Sequence, residues 1–480
     1  MIDHDDIAYL ELIEVAELIR ARHVSSVEVT EAILERIDNV DPSLLSYAHV
    51  AVESALAAAR DADAELARGK YRGPLHGVPV AVKDLCFTKD SPTGSGSKMH
   101  QEFVPDFDAT VVTRLRQAGA VLTGKLRMTE GAYTDHHPDL PVPVNPWDAA
   151  TWSGVSSSGS GVATAAGLCF GSIGSDTGGS IRLPSSMNGV TGLKPTWGRV
   201  SRHGTVELAA SLDHIGPMAR SATDCAAMLG VLAGADVNDP TSSLIPVDDY
   251  LGQVARPILP RIGIDRALLA RFDEPTRLVL ENVTVVLEGL GWTVTEIETP
   301  DLASAAADFA PLCAVEAAHA HAETYPARAA EYGPALRGLI EAGLAMNAVE
   351  FQHLQEHRRA FVGRLQRVFL TTDLLILPGI GFASPTLETM DTLGSNADLL
   401  SALLIPTAPF DLAGVPTVTL PGGFSDRGTP LAFQFVGTNF NELLVLQAAH
   451  TFQSVTDFHR RHPQLVDTPG LEKNSPSALD

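Results

Sequence analysis

Residues 151–199 read T-W-S-G-V-S-S-S-G-S-G-V-A-T-A-A-G-L-C-F-G-S-I-G-S-D-T-G-G-S-I-R-L-P-S-S-M-N-G-V-T-G-L-K-P-T-W-G-R. Gly, Ser and Thr dominate this stretch, yet it is no flexible linker. Apolar runs (Val162 to Phe170, then Ile181 to Leu183) separate the Gly/Ser clusters. Asp176, Arg182, Lys194 and Trp197 stand singly among the glycines, an arrangement a linker has no reason to keep. The pattern predicts tight loops whose backbone N–H groups face a ligand, each followed by a short helix. Small residues are needed there because positive φ and close backbone approach both exclude a bulky side chain. The stretch reads as an active site.

Composition narrows what such a site serves. With 480 residues, 45% of them apolar and only 19% charged, the chain can bury a large core. A formal net charge of −24 argues against nucleic acid or an anionic membrane as primary partner. The N-terminus M-I-D-H-D-D-I has neither a basic n-region nor an apolar h-region, and no apolar run approaches the ~20 residues of a membrane span. Cys86, Cys169, Cys225 and Cys313 are widely spaced, which reads as free thiols in a reducing cytoplasm.

Outward from the central stretch, residues 8–70 read as helices, with Ser25 and Glu28 as a capping box and an alanine-rich helix from Ala51 to Ala67. Gly77 to Asp84 (G-V-P-V-A-V-K-D) is a short apolar strand closing on Lys83. Residues 109–124 read as helix then strand, and the Pro- and His-rich segment 127–150 as a loop that walls a pocket. Downstream, Ser221 caps a helix to Ala233, and residues 262–297 form a β-α-β unit. Residues 301–371 are helical. Leu374 to Pro378, Thr417 to Pro421 and Leu431 to Val436 read as strands, and Glu442 to Val455 as a closing helix. With no internal repeat and no clean linker, residues 1–470 read as one domain, with N-terminal helices (1–70), a helical cap (300–371) and a disordered tail at 471–480.

Several motifs compete for the chemistry. His353, Glu356 and His357 spell H-x-x-E-H, an inverted zinc-protease string, with Glu316 and His319 as further candidate ligands. Against it, these residues fall on the wet face of a helix beside Arg358 and Arg359. Gly119-x4-Gly124-Lys125 resembles a phosphate-binding loop, but Leu126 stands where Ser or Thr must hold Mg²⁺. His136 and His137 are adjacent, and sequence neighbours rarely converge on one metal. No Gly-x-Ser-x-Gly elbow exists, so an α/β-hydrolase triad lacks support. The serine loops remain. Ser180 is a candidate nucleophile on a row of free N–H groups in D-T-G-G-S (176–180), and a hydroxyl attacks only where a base takes its proton. Alone, Lys83 would read as a surface lysine at a strand end. In an apolar pocket, desolvation would instead leave it neutral enough to be that base.

These motifs together closely resemble the amidase signature family: G-V-S-S-S-G-S-G (154–161), G-S-D-T-G-G-S-I-R (174–182), N-G-V-T-G-L-K-P-T-W-G-R (188–199), S-L-D-H-I-G-P-M-A-R (211–220), G-V-P-V-A-V-K-D (77–84), V-N-P-W (144–147) and A-G-V-P-T-V-T-L-P-G-G-F (413–424). The resemblance spans essentially the whole chain. It implies an α/β fold, a large mixed twisted sheet covered by helices on both sides. It also implies a Ser-cisSer-Lys triad, with Lys83 as base, Ser180 as nucleophile and Ser156 as the bridge that follows a cis peptide bond. Thr177, Gly178, Gly179 and Ser180 would form the oxyanion hole, Asp176 and Arg182 would order the loop with Ser157, and Gly131, Ala132 and Tyr133 would line the acyl pocket, with Gly379 to Gly381 opposite.

The usual Gly-Gly-Ser-Ser-Gly-Gly string is altered here, Val155 and Ser158 replacing glycines, and Ser157 competes with Ser156 as the bridge. The implied activity is hydrolysis of a small carboxylic amide, aryl amide, anilide or carbamate through an acyl-enzyme, by a monomer or homodimer. Neither cofactor nor metal is implied, and the partners are the substrate and water, not nucleic acid or a membrane. The family also contains the glutamine-hydrolysing subunit of a tRNA-dependent amidotransferase. Its Asp-Ala-Tyr-Tyr segment is missing from the matching region 324–333.

Overall fold

A computed structural model describes residues 7–465. Eleven strands form one mixed sheet in the order β1-β3-β2-β4-β6-β5-β10-β11-β9-β7-β8. In chain order these are β1 (Tyr47–Val50), β2 (Pro79–Lys83), β3 (Val121–Leu126), β4 (Gly171–Asp176), β5 (Thr191–Lys194), β6 (His214–Ala219), β7 (Arg261–Ile264), β8 (Thr293–Glu296), β9 (Leu374–Pro378), β10 (Thr417–Phe424) and β11 (Pro430–Val436). Every residue of β2, β4, β5 and β6 is buried, as a strand covered on both faces requires. Helices Ser158–Ala165 and Arg182–Asn188 pack against each other, the first on β2, β3, β4 and β6, the second on β5, β10 and β11. A separate pair, Ala222–Leu232 and Glu442–Ser454, also packs together and lies on β5, β6, β10 and β11. The α/β expectation holds.

Most of the expected elements are present. The Ser25 hydroxyl accepts from Glu28 N while the Glu28 carboxylate accepts from Ser25 N, closing the capping box of helix Ser26–Leu44. Strands β7 and β8 run parallel around helix Glu274–Gly289, forming the β-α-β unit. The N-terminal region corrects the expectation, since Tyr47–Val50 leaves the helical run to pair antiparallel with β3. Tyr47 anchors it by donating to Leu168 O at 3.0 Å. The tail at 471–480 lies outside the described residues.

Sequence patterning does not announce the central strands β4, β5 and β6, because they carry Gly and Ser where a strand normally carries branched residues. Packing explains this. A Cβ on Gly216 of β6 would come within 2.1 Å of Leu193 O, and one on Gly192 of β5 within 2.1 Å of Ser185 Oγ. Gly192 lets helix Arg182–Asn188 lie close on β5, and Gly216 lets β6 approach the β5 backbone. Gly216→Ala is therefore expected to cost about 1–3 kcal/mol by overpacking, read as a lower thermal midpoint. An unchanged midpoint would mean that the strands can separate to admit the methyl group.

Candidate active site

Strands β2 and β4 are parallel neighbours, with Ala81 opposite Ser172 and Val82 opposite Ile173, so their carboxyl ends meet at one edge. Lys83 closes β2, and Ser175 lies near the end of β4. Lys83 is fully buried, not the surface lysine its position alone predicts. Its Nζ donates to Ser156 Oγ at 2.6 Å, Ser157 Oγ at 2.8 Å and Ser175 Oγ at 2.8 Å. No carboxylate among the described residues lies within ion-pair distance of it. Burial strips water from the ammonium and lowers its pKa to about 7, against a weaker opposing pull from Asp176.

The peptide bond between Val155 and Ser156 is cis, which distinguishes Ser156 from Ser157. Ser157 Oγ donates to Ser175 O and accepts from Ser175 N, so it braces this loop against β4. Val155 is accommodated by packing on an apolar cluster of Trp152, Leu183, Met187, Ile380 and Leu403. Ser180 is partly exposed, and its carbonyl accepts from Ser157 N at 3.3 Å, tying the two serine loops together.

The turn from Asp176 to Arg182 is held by one carboxylate. Asp176 accepts from Gly179 N at 2.6 Å and from Ile181 N at 2.9 Å, and it takes two bonds from the Arg182 guanidinium. Burial opposes the charge on Asp176, but Arg182 outweighs it and holds the carboxyl below its usual range. Arg182 also donates to Thr407 O at 2.8 Å and pairs with Asp411, whose own carboxyl burial raises well above the ordinary value. Of the four N–H groups expected to meet an oxyanion, that of Gly179 donates to Asp176 in this structure. Thr177, Gly178 and Ser180 keep N–H groups with no protein acceptor among the described residues. Phe309 from helix Leu302–Ala320 covers Gly178 so closely that a Cβ there would fall 2.4 Å from its ring.

Gly131 and Ala132 both adopt positive φ in a tight turn, and Tyr133 is half-buried. Gly379 and Gly381 are packing glycines, abutting Ser186 Oγ and Ala402 O. Sequence reading missed Ser175, Thr407 and Asp411. Ser175 lies inside the quoted motif 174–182, and the pairing of its strand with β2 was the available signal. Asp411 carried none, being 229 residues from the arginine it pairs with.

The rival motifs lose their chemistry. Lys125 is buried within β3, donating to Thr93 Oγ1 at 2.7 Å and paired with Asp84 at 3.2 Å, so it cannot serve a phosphate loop. His353 and His357 are exposed on helix Ala348–Val368, and Glu316 accepts from Ser211. Among the described residues no three His, Cys, Asp or Glu side chains are grouped to hold a metal ion. All four cysteines are buried free thiols. No described helix is long and apolar enough to cross a membrane.

Removing Arg182 strips the buried Asp176 carboxylate of its hydrogen-bonded counter-charge. Arg182→Met is expected to cost about 3–5 kcal/mol, seen as a lower denaturation midpoint. A midpoint equal to that of the parent chain would show that Asp176 holds the turn unaided.

Comparison with known proteins agrees with this architecture. The family model described as Amidase matches residues 28–446. A protein from Mycobacterium tuberculosis named "Putative amidase AmiD" is 57% identical over 462 residues, covering 96% of this chain and 97% of that protein. A glutamyl-tRNA(Gln) amidotransferase subunit from Moorella thermoacetica is 38% identical, covering 96% of this chain and 99% of that one. Among solved structures, the peptide amidase of Stenotrophomonas maltophilia superposes with a TM-score of 0.81 at 29% identity, covering 95% of this chain and 98% of that one. A 6-aminohexanoate cyclic dimer hydrolase gives 0.85 at 27%, covering 95% and 99%. The chain belongs to the amidase family, and is a hydrolase of amide C–N bonds.

Proposed function

We propose that the chain is a free-standing amidase that cleaves small carboxylic amides through an acyl-enzyme on Ser180, with Lys83 and Ser156 as its proton relay. The observation that carries this reading is a fully buried lysine held by three hydroxyls and no carboxylate, beside the Thr177–Ser180 turn. A neutral amine has two N–H bonds and one lone pair. Ser157 and Ser175 accept the two N–H bonds, which leaves the lone pair for the Ser156 proton.

In the proposed reaction these groups act in turn. Ser156 passes its proton to Lys83 and takes the Ser180 proton as Ser180 Oγ bonds to the substrate carbonyl carbon. The oxyanion so formed is met by the N–H groups of Thr177, Gly178 and Ser180. Collapse breaks the C–N bond, and Ser156 returns a proton to the departing amine while regaining one from Lys83. Water then adds to the acyl-enzyme by the same relay, releasing the carboxylic acid and restoring Ser180. Tyr133, Gly131 and Ala132 are assigned to the acyl side. An ester, anilide or carbamate would use the same groups. The greater identity to the amidase relative than to the amidotransferase relative favours a free-standing enzyme.

The test is reaction with a fluorophosphonate, with and without chelator, mapped by mass spectrometry. The expected result is an adduct on Ser180, insensitive to chelator and lost or slowed by about 10²–10⁴ in Lys83→Ala. Labelling elsewhere, or loss on chelation, would overturn the assignment. Because burial lowers the Lys83 pKa, its neutral form dominates above the folded value. The labelling rate is therefore expected to rise with pH through about 7 and then level off. A rate flat from pH 5 to 9 would contradict a lysine base.

A further inference from the structure

His136 is left over from the sequence motifs and unused by the chemistry above. It lies just past the turn that carries Gly131, Ala132 and Tyr133. That turn is closed by Glu130 N donating to Asp135 O at 2.9 Å, with Tyr133 N donating to Glu130 O at 3.0 Å. Each end of it is tied to the serine loop. At the leading end, Thr129 N donates to Ser156 O at 3.2 Å. At the trailing end, His136 Nε2 lies 3.2 Å from Ser158 Oγ.

Ser158 is fully buried and stands where the family's usual string has glycine, so the altered residue brings a partner with it. A hydroxyl added there without an acceptor would be a buried orphan. Burial keeps the His136 imidazole neutral, lowering its pKa to about 4. A neutral imidazole carries its proton on one nitrogen, and in the tautomer protonated at Nδ1 the Nε2 atom accepts the Ser158 O–H. The next residue, Gly159, repeats the link through the backbone, donating to Arg127 O at 3.0 Å.

Resting on the Ser180 reading, we propose that His136 is a positioning residue: through Ser158 it fixes the acyl-side turn 129–135 against the loop carrying Ser156, and so sets which acyl groups the site accepts. His136 touches no reacting atom. Loosening this staple moves the pocket wall and leaves the Lys83–Ser156 contacts in place, so it alters binding more than chemistry.

The experiment measures KI and kinact for Ser180 labelling by a short-chain and a bulky fluorophosphonate. The proteins are the parent chain, His136→Ala, His136→Gln, Ser158→Gly and the His136→Ala/Ser158→Gly double variant. In His136→Ala and Ser158→Gly, KI for the bulky probe is expected to change about five- to tenfold, with kinact within about twofold. The double variant is expected to be no worse than either single one, because both remove the same bond. His136→Gln, which keeps an acceptor, is expected to stay near the parent. Unchanged KI, multiplying effects in the double variant, or a fall in kinact alone would each overturn the proposal. If His136→Ala does not fold, Ser158→Gly carries the same test. A parent chain that never labels at Ser180 overturns the Ser180 reading and this proposal with it. A labelled parent with unaltered variants overturns only the role of His136.

Discussion

An ammonium group taken out of water without a counter-charge is among the costliest things a fold can bury, and the usual escape is loss of the proton. Lys83 is in that position. Three serine hydroxyls satisfy its hydrogen bonds but offer no negative charge, Asp176 is taken up by Arg182, and Asp213 by the Thr177 hydroxyl and backbone N–H groups. Lys125, only one strand away, shows the opposite solution, with Asp84 beside it. The difference between these two buried lysines is the difference between a candidate base and a structural ion pair. The surrounding architecture follows from keeping Lys83 dry yet hydrogen-bonded.

Keeping it so requires two helices close enough to cover the strand ends, and that closeness is why the middle of the sheet is built from Gly and Ser. Ser160 and Ser172 join helix Ser158–Ala165 to β4 by hydrogen bonds, where a branched pair would hold them apart. The Arg182 network then sets the second loop, pairing with Asp176 in the same turn and with Asp411 far along the chain. In the proposed mechanism this network also selects the oxyanion donors, since the carboxylate that orders the turn consumes the Gly179 N–H. Order in the loop and donors for the substrate are drawn from the same small set of amides.

Lys83 itself was legible as a strand end from V-P-V-A-V, and the serine loops from glycines with charged residues set singly among them. The burial of Lys83 was not legible, because it depends on β2 lying inside the sheet between β3 and β4. The strands β4 to β6 escaped notice for a related reason. Their residues answer to the helices that press on them, so the alternation of apolar and polar side chains that marks a strand is absent. Tyr47–Val50 was hidden by its brevity between two strongly periodic helices. The pairing of Arg182 with Asp411 depends wholly on tertiary structure. Val155 and Ser158 looked like blemishes in a motif. Val155 joins an apolar cluster, and Ser158 finds a histidine that sequence reading could regard only as one of an adjacent pair.

The central claim is that a buried lysine loses its proton near neutral pH because hydroxyls, not carboxylates, surround it. The direct measurement is an NMR titration of protein labelled with ¹³C at the lysine ε-carbon, the Lys83 resonance being assigned by its loss in Lys83→Met. The account predicts that this signal titrates near pH 7, that of the buried Lys194 at about 8, and those of surface lysines in the ordinary alkaline range. A Lys83 signal that stays protonated through pH 9 would contradict it, and the base would have to be sought elsewhere.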